Sequence, residues 1–312
     1  MSFLDRIFAP ARPGKSTRGV SVDLFDDEFI RRLDTLALMS RRASGGMRRG
    51  ERRSKKRGGG VEFADHRNYV AGDDIRFLDL GVYQRFGKLL IRLFEQEEDM
   101  SLYVLIDTSS SMAFAEASKL NQAVKVAAAL SYIGLSGLDR VSLYSLSSGV
   151  ESRVPPLRGR RRVFQVLRFL SELTAQGQTD LGRAMRTFVA QHKRRGLVIL
   201  LTDLYDPHGF EAGINVLRFN KFEPVVLQLT DPRDLPGDLR GDLRVVDIES
   251  GASREVSMNA NLLFALREKM RERDRHIARY CAERGVAHFL VDTNTPYDEV
   301  VLRVLRRGGL LR

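Results

Sequence analysis

Two short runs of uninterrupted apolar residues constrain this chain more than any other feature. Leu102 to Ile106 reads Leu-Tyr-Val-Leu-Ile and stops at Asp107. Leu197 to Leu201 reads Leu-Val-Ile-Leu-Leu and stops at Thr202 and Asp203. Five apolar residues without polar alternation fit a strand buried on both faces, the condition of a parallel sheet covered by helices. A carboxylate cannot continue such a strand cheaply, so Asp107 and Asp203 mark the two strand ends.

The rest of the chain supplies the covering helices. Helical patterns fall at Lys119 to Leu135, Arg162 to Leu173, Leu181 to His192, Phe210 to Phe219, Asn259 to Arg284 and Tyr297 to Arg307. Further strands are expected at Arg140 to Leu146, with Val150 to Val154 pairing beside it, and at Pro224 to Leu229 and Val286 to Val291. Strand and helix alternate from residue 101 onward, which predicts a doubly wound, mostly parallel α/β domain over residues 97–312. Residues 231–257 interrupt the alternation, and Val245 to Ile248 with Glu255 to Val256 have the spacing of a small hairpin insertion.

Ahead of that domain, Asp26 to Arg42 has helical periodicity, with acids in its first turn and arginines in its last. Residues 1–60 are therefore read as a helix with a flexible basic segment. Residues 61–96 are rich in aromatic and acidic side chains and end in a strand at Lys88 to Phe94, which predicts a small β-rich element. The chain carries 51 Lys and Arg against 40 Asp and Glu, a net charge of +11. Nine basic residues and one acid lie between Arg41 and Arg57, so this segment alone holds +8 of that total. With 43% apolar residues the remainder can build a core.

Composition also narrows the chemistry. The single cysteine, Cys281, excludes an intrachain disulfide and a cysteine zinc site. The five histidines show no metal-binding spacing. No run is long enough to span a membrane and the N-terminus does not read as a signal peptide, so a cytoplasmic setting is expected. Pro13-Gly-Lys-Ser-Thr17 resembles the end of a phosphate loop, but Ala9 stands where its first glycine belongs.

Ligands of open α/β sheets bind at the carboxyl ends of the strands. Asp107-Thr-Ser109-Ser-Ser111 follows the first apolar run there, and alternate residues of an extended turn aim three oxygens at one point. Thr179, in Gly177-Gln-Thr179-Asp180, precedes a helix and can add a hydroxyl, and Asp203 closes the second run. Five hard oxygen donors without sulfur or imidazole suit Mg²⁺ or Mn²⁺. The competing reading is local: an Asp followed by serines also caps helices.

This order of residues resembles the metal-ion-dependent adhesion site of von Willebrand factor A-type domains. The resemblance implies that Ser109 and Ser111 ligate directly, Thr179 directly or through water, and Asp107 and Asp203 largely through water. It also implies an open position for a partner's carboxylate. A wider resemblance rests on Glu62-Phe63-Ala-Asp65, on Tyr69-Val-Ala-Gly72-Asp73-Asp74-Ile-Arg76, on Lys88 to Glu98, and on Val246-Asp247-Ile-Glu249-Ser-Gly251. Together these resemble the bacterial family catalogued as domain of unknown function 58, from about Asp26 to the C-terminus. That family is similar to von Willebrand A domains and is typically encoded beside MoxR-type AAA+ ATPases. The implied role is a non-enzymatic adaptor that links such an ATPase to a client protein, the client supplying the acidic residue.

Two other functions compete. A metal-dependent phosphohydrolase would use the same cation, but the aspartyl-phosphate pattern needs a second carboxylate where Ser109 stands. The basic segment at 41–57 could bind nucleic acid or an anionic surface, though it lacks interleaved aromatics.

Overall fold

The computed structural model describes residues 25, 27–45, 57–58, 62–95, 101–192, 194–234 and 239–307. It divides into two compact units, Met1–Arg41 with Met100–Leu311, and Arg42–Asp99. The basic segment lies mostly outside the described residues.

Helix α1 spans Asp27–Gly45, three residues beyond its expected end. Its apolar stripe, Phe29, Leu33 and Leu36, is buried in the core of the first unit. The second unit holds β1 (Arg57–Gly58), β2 (Glu62–Asn68), a seven-residue helix α2 (Leu80–Phe86) and β3 (Leu90–Glu95). Its three strands are antiparallel in the order β1-β3-β2. The acids of this region are local fasteners. Asp74 accepts from the Arg76 amide at 3.0 Å, Asp79 caps α2 through the Val82 amide at 3.0 Å, and Asp73 pairs with Arg67 at 2.7 Å. The sequence predicted strand here but not α2, because a two-turn helix started by one aspartate is too short to show periodicity.

The first unit continues with β4 (Ser101–Asp107), α3 (Phe114–Ser136), β5 (Arg140–Leu146), β6 (Val150–Leu157), α4 (Val163–Ser171), α5 (Leu181–Gln191), β7 (Leu197–Thr202), α6 (Glu211–Phe219) and β8 (Glu223–Thr230). It closes with β9 (Gly241–Val246), β10 (Ser253–Met258), α7 (Ala260–Glu283), β11 (Ala287–Asp292) and α8 (Tyr297–Arg307). Six strands form one sheet in the order β11-β8-β7-β4-β5-β6. All its pairs are parallel except β5 with β6, the pairing expected from the sequence, which proves to be antiparallel and at the sheet's edge.

The apolar runs are buried on both faces because successive side chains point to opposite sides. Leu102, Val104 and Ile106 join one core with residues of α1, α3, α4 and α8. Tyr103 and Leu105 join the other with residues of α5, α6 and α7. A mostly parallel sheet with helices on both faces is compatible with a doubly wound fold. The interruption after β8 is a two-stranded antiparallel sheet, β9 with β10. Its Leu243, Val256 and Met258 pack with Leu263 and Leu266 in a small core of their own.

Candidate metal centre at the strand ends

β4 and β7 are neighbours in parallel register, with Ile106 opposite Leu201. The residues that follow, Asp107 on one strand and Thr202 and Asp203 on the other, therefore reach the same end of the sheet. The chain runs from β4 to β5 on one side and returns to β7 on the other, so the sheet reverses its winding here. In open α/β sheets such a reversal is the place where ligands bind.

The Asp107 turn is held by its own side chain. Asp107 Oδ1 accepts the Ser109 amide at 2.9 Å, and Oδ2 accepts the Thr202 hydroxyl at 2.5 Å. Ser109 Oγ and Ser111 Oγ lie 3.0 Å apart. The loop bearing Thr179 is stitched to this turn through the backbone. The Gln176 amide donates to the Thr108 carbonyl at 2.7 Å, and the Ser110 amide to the Gly177 carbonyl at 3.0 Å. Gly177 has φ +80°, the left-handed conformation that lets the loop double back. Asp203 Oδ1 accepts the Tyr205 amide at 3.1 Å, and Oδ2 accepts Lys119 Nζ at 3.2 Å.

All five expected side chains are buried: Asp107, Ser109 and Asp203 are 0% exposed, Thr179 1% and Ser111 6%. The helix-capping alternative fails for the serines. The short 3₁₀ turn Ser110–Ala113 starts at Ser109 without a side-chain cap, and α3 starts at Ala113, which has no polar side chain. The two hydroxyls face each other instead.

Charge at these strand ends is unbalanced toward the negative. Lys119, on α3, is 1% exposed and bonds Asp203 at 3.2 Å and Asp234 at 2.8 Å. Burial alone would lower its basicity, but the Asp203 and Asp234 carboxylates outweigh that and keep it charged. Asp107 has no cationic partner among the described residues. Burial, and then the neighbouring Asp203 carboxylate, push it up to about 6.

A third carboxylate enters from a place the sequence reading did not assign. Glu249, in the turn between β9 and β10, accepts the Thr179 hydroxyl at 3.2 Å. Burial, and then the charges of Asp203 and Asp107, push it up to about 7. Its signal lay in the segment Val246 to Gly251, where Asp247 and Gly251 bracket a tight turn around it. Asp247 Oδ1 accepts the Glu249 amide at 2.9 Å, and Gly251 has φ +72°. Lys119 and Thr202 were also missed. No local pattern separates a helix lysine that turns inward from one that faces solvent.

Among the described residues, no three His, Cys, Asp or Glu side chains form a metal-binding group by themselves. A cation at these strand ends would depend on hydroxyls as much as on carboxylates. The donors fit that demand: three buried hydroxyls and two buried carboxylates, all hard oxygens, beside a local excess of negative charge.

Comparison with known proteins agrees with the wider sequence pattern. A family model described as "Protein of unknown function DUF58" matches residues 65–278. Uncharacterised proteins of Mycobacterium tuberculosis and Mycobacterium bovis are 27% identical over 261 residues, covering 81% of this chain and 81% of theirs. Among solved structures, the conserved hypothetical protein BatB from Bacteroides thetaiotaomicron aligns with TM-score 0.41 and 13% identity, over 68% of this chain and 98% of that one. An aerotolerance-related membrane protein from Bacteroides fragilis aligns with TM-score 0.40 and 16% identity, over 66% of this chain and 98% of that one. In this chain, no helix among the described residues is long and apolar enough to cross a membrane.

Proposed function

The chain belongs to the DUF58 family, and from that membership we propose that its α/β unit is a von Willebrand factor A-like, metal-dependent interaction module. It acts as a non-enzymatic adaptor between a MoxR-type AAA+ ATPase and a client protein in the cytoplasm. The observation that supports this reading is the burial of the Ser109, Ser111 and Thr179 hydroxyls and the Asp107 and Asp203 carboxylates, with Asp107 and Asp203 at the ends of the two strands between which the sheet reverses.

The roles follow from chemistry. Ser109 and Ser111 offer neutral oxygens, with Thr179 beside them. Asp107 and Asp203 supply negative charge while staying fixed by Thr202, Lys119 and backbone amides. Mg²⁺ or Mn²⁺, when bound, would supply a positive centre that neutral hydroxyls leave under-neutralised and that attracts an acidic side chain of a partner. Lys119 would heighten this charge by claiming part of Asp203. ATP hydrolysis belongs to the ATPase partner in this reading.

Calorimetric titration of Mg²⁺ and Mn²⁺ into the full chain and Asp107→Ala tests the metal. The wild type should bind and the variant should bind at least tenfold more weakly; equal binding by both removes the assignment. Capture of an AAA+ partner should fall with chelator and with Ser109→Ala. Capture unchanged by both would leave the partnership standing without a metal bridge.

A further inference from the structure

The hairpin β9–β10 is built so that one residue of its turn reaches across the fold. Glu249 meets Thr179, seventy positions earlier in the chain, through the Thr179 hydroxyl at 3.2 Å. The turn is fixed by Asp247, whose amide donates to the Ala252 carbonyl at 2.8 Å and whose side chain accepts the Glu249 and Ser250 amides at 2.9 and 3.3 Å. The neighbour Ser250 is exposed, while Glu249 is turned partly inward.

Inward is an expensive direction for this side chain. Among the described residues no Lys or Arg pairs with Glu249. Asp203 and Asp107 lie near enough for their charges to act on it. Lys119 is the one ammonium bonded to any of these acids among the described residues, and it is divided between Asp203 and Asp234. Carboxylates brought together out of water repel one another unless a cation or a proton offsets them. The hydroxyl that Glu249 contacts, Thr179, is also one of the five donors of the centre.

We propose that Glu249 is the centre's own carboxylate ligand: it completes the cation in the resting protein, and an acidic partner engages by displacing Glu249 together with the β9–β10 turn. This rests on the metal reading above. It assigns the insertion a purpose, since the hairpin then acts as a tethered competitor for the position an outside acid would take. Tethering matters because a group on the same chain competes at a high effective concentration. A partner must therefore offer more than one carboxylate.

Mn²⁺ binding to the full-length chain, followed by calorimetry and by water-proton relaxation, tests the idea with Glu249→Gln and Asp107→Ala. The amide keeps the size of Glu249 and so preserves the turn, and circular dichroism checks the fold. Glu249→Gln should bind Mn²⁺ about tenfold more weakly and show higher relaxivity, because water replaces the lost carboxylate. Added acetate should lower that relaxivity in the variant and leave the wild type unchanged. If Glu249→Gln matches the wild type in affinity and relaxivity while Asp107→Ala loses binding, the centre is real and Glu249 is not its ligand. If the wild type binds no Mn²⁺, the metal reading falls and this inference falls with it.

Discussion

Thr202 donates its hydroxyl to Asp107 across 2.5 Å, joining the ends of two adjacent parallel strands with both residues 0% exposed. The same hydroxyl accepts the Leu204 amide at 3.0 Å. One small side chain thus orients the first carboxylate of the centre and shapes the turn that carries the second. Thr202→Val keeps the volume but orphans a buried carboxylate oxygen and a buried amide. A loss of about 2 kcal/mol is expected in urea unfolding. A loss below a few tenths would mean that the turn does not depend on this bond.

Lys119 is a structural ion inside the fold as well as a neighbour of the centre. Its side chain is 2% exposed and bridges Asp203 and Asp234. Lys119→Met should destabilise the protein by about 3–5 kcal/mol, because two buried acids lose their counter-charge. Adding Asp234→Asn to that variant should recover part of the loss. Two additive losses would show that the lysine and Asp234 do not interact energetically.

The acids of the centre also set a pH dependence for the metal-free protein. Asp107 lies at about 6 and Glu249 at about 7, both above their ordinary values. The native state therefore holds protons that the unfolded chain has already released. Their contribution is complete below about pH 4, the ordinary carboxylate range, and is lost as pH rises through 6 to 7. Asp231 works in the opposite sense. Burial pushes it up, but hydrogen bonds from Arg233, Ser118 and Thr293 outweigh this and hold it low, so it titrates below that window. The urea midpoint of chelated protein should fall between pH 5 and pH 8, and saturating Mg²⁺ should cancel the fall. A midpoint that rises over this range without metal would contradict the charge arrangement.

Gly196 gives a test of the sheet itself. It precedes β7, and a Cβ there would lie 2.1 Å from the Ser101 carbonyl oxygen at the start of β4. The obstacle is backbone, so no side chain can rotate away. Gly196→Ala should cost about 3 kcal/mol or more as the two strands are forced apart. Stability equal to the wild type would show that the strands separate freely at this end, and would weaken the case for a rigid platform beneath the centre.

Much of the fold was legible locally. The apolar runs ending at Asp107 and Asp203 located two central strands within a residue of their bounds, because burial on both faces leaves no freedom for polar alternation. The helix at Tyr297–Arg307 was readable to the residue. Short elements were less so: α2 has too few turns for a period to emerge. The five candidate oxygens could be proposed from the sequence because each follows a strand or precedes a helix, where backbone geometry alone predicts its neighbourhood.

Their charge balance could not be read that way. The net charge of +11 describes a chain that is locally acidic at these strand ends. Lys119, Thr202 and Glu249 join the site from a helix, a strand end and a hairpin turn, over separations of 84, 95 and 70 residues from the side chains they meet. The sequence by itself determined which segments become strands and helices, since that follows from periodicity and burial within a few residues. The tertiary structure decided which distant polar groups share one buried volume. Removal from water then makes their charges interact strongly, and no local pattern in the chain records that encounter.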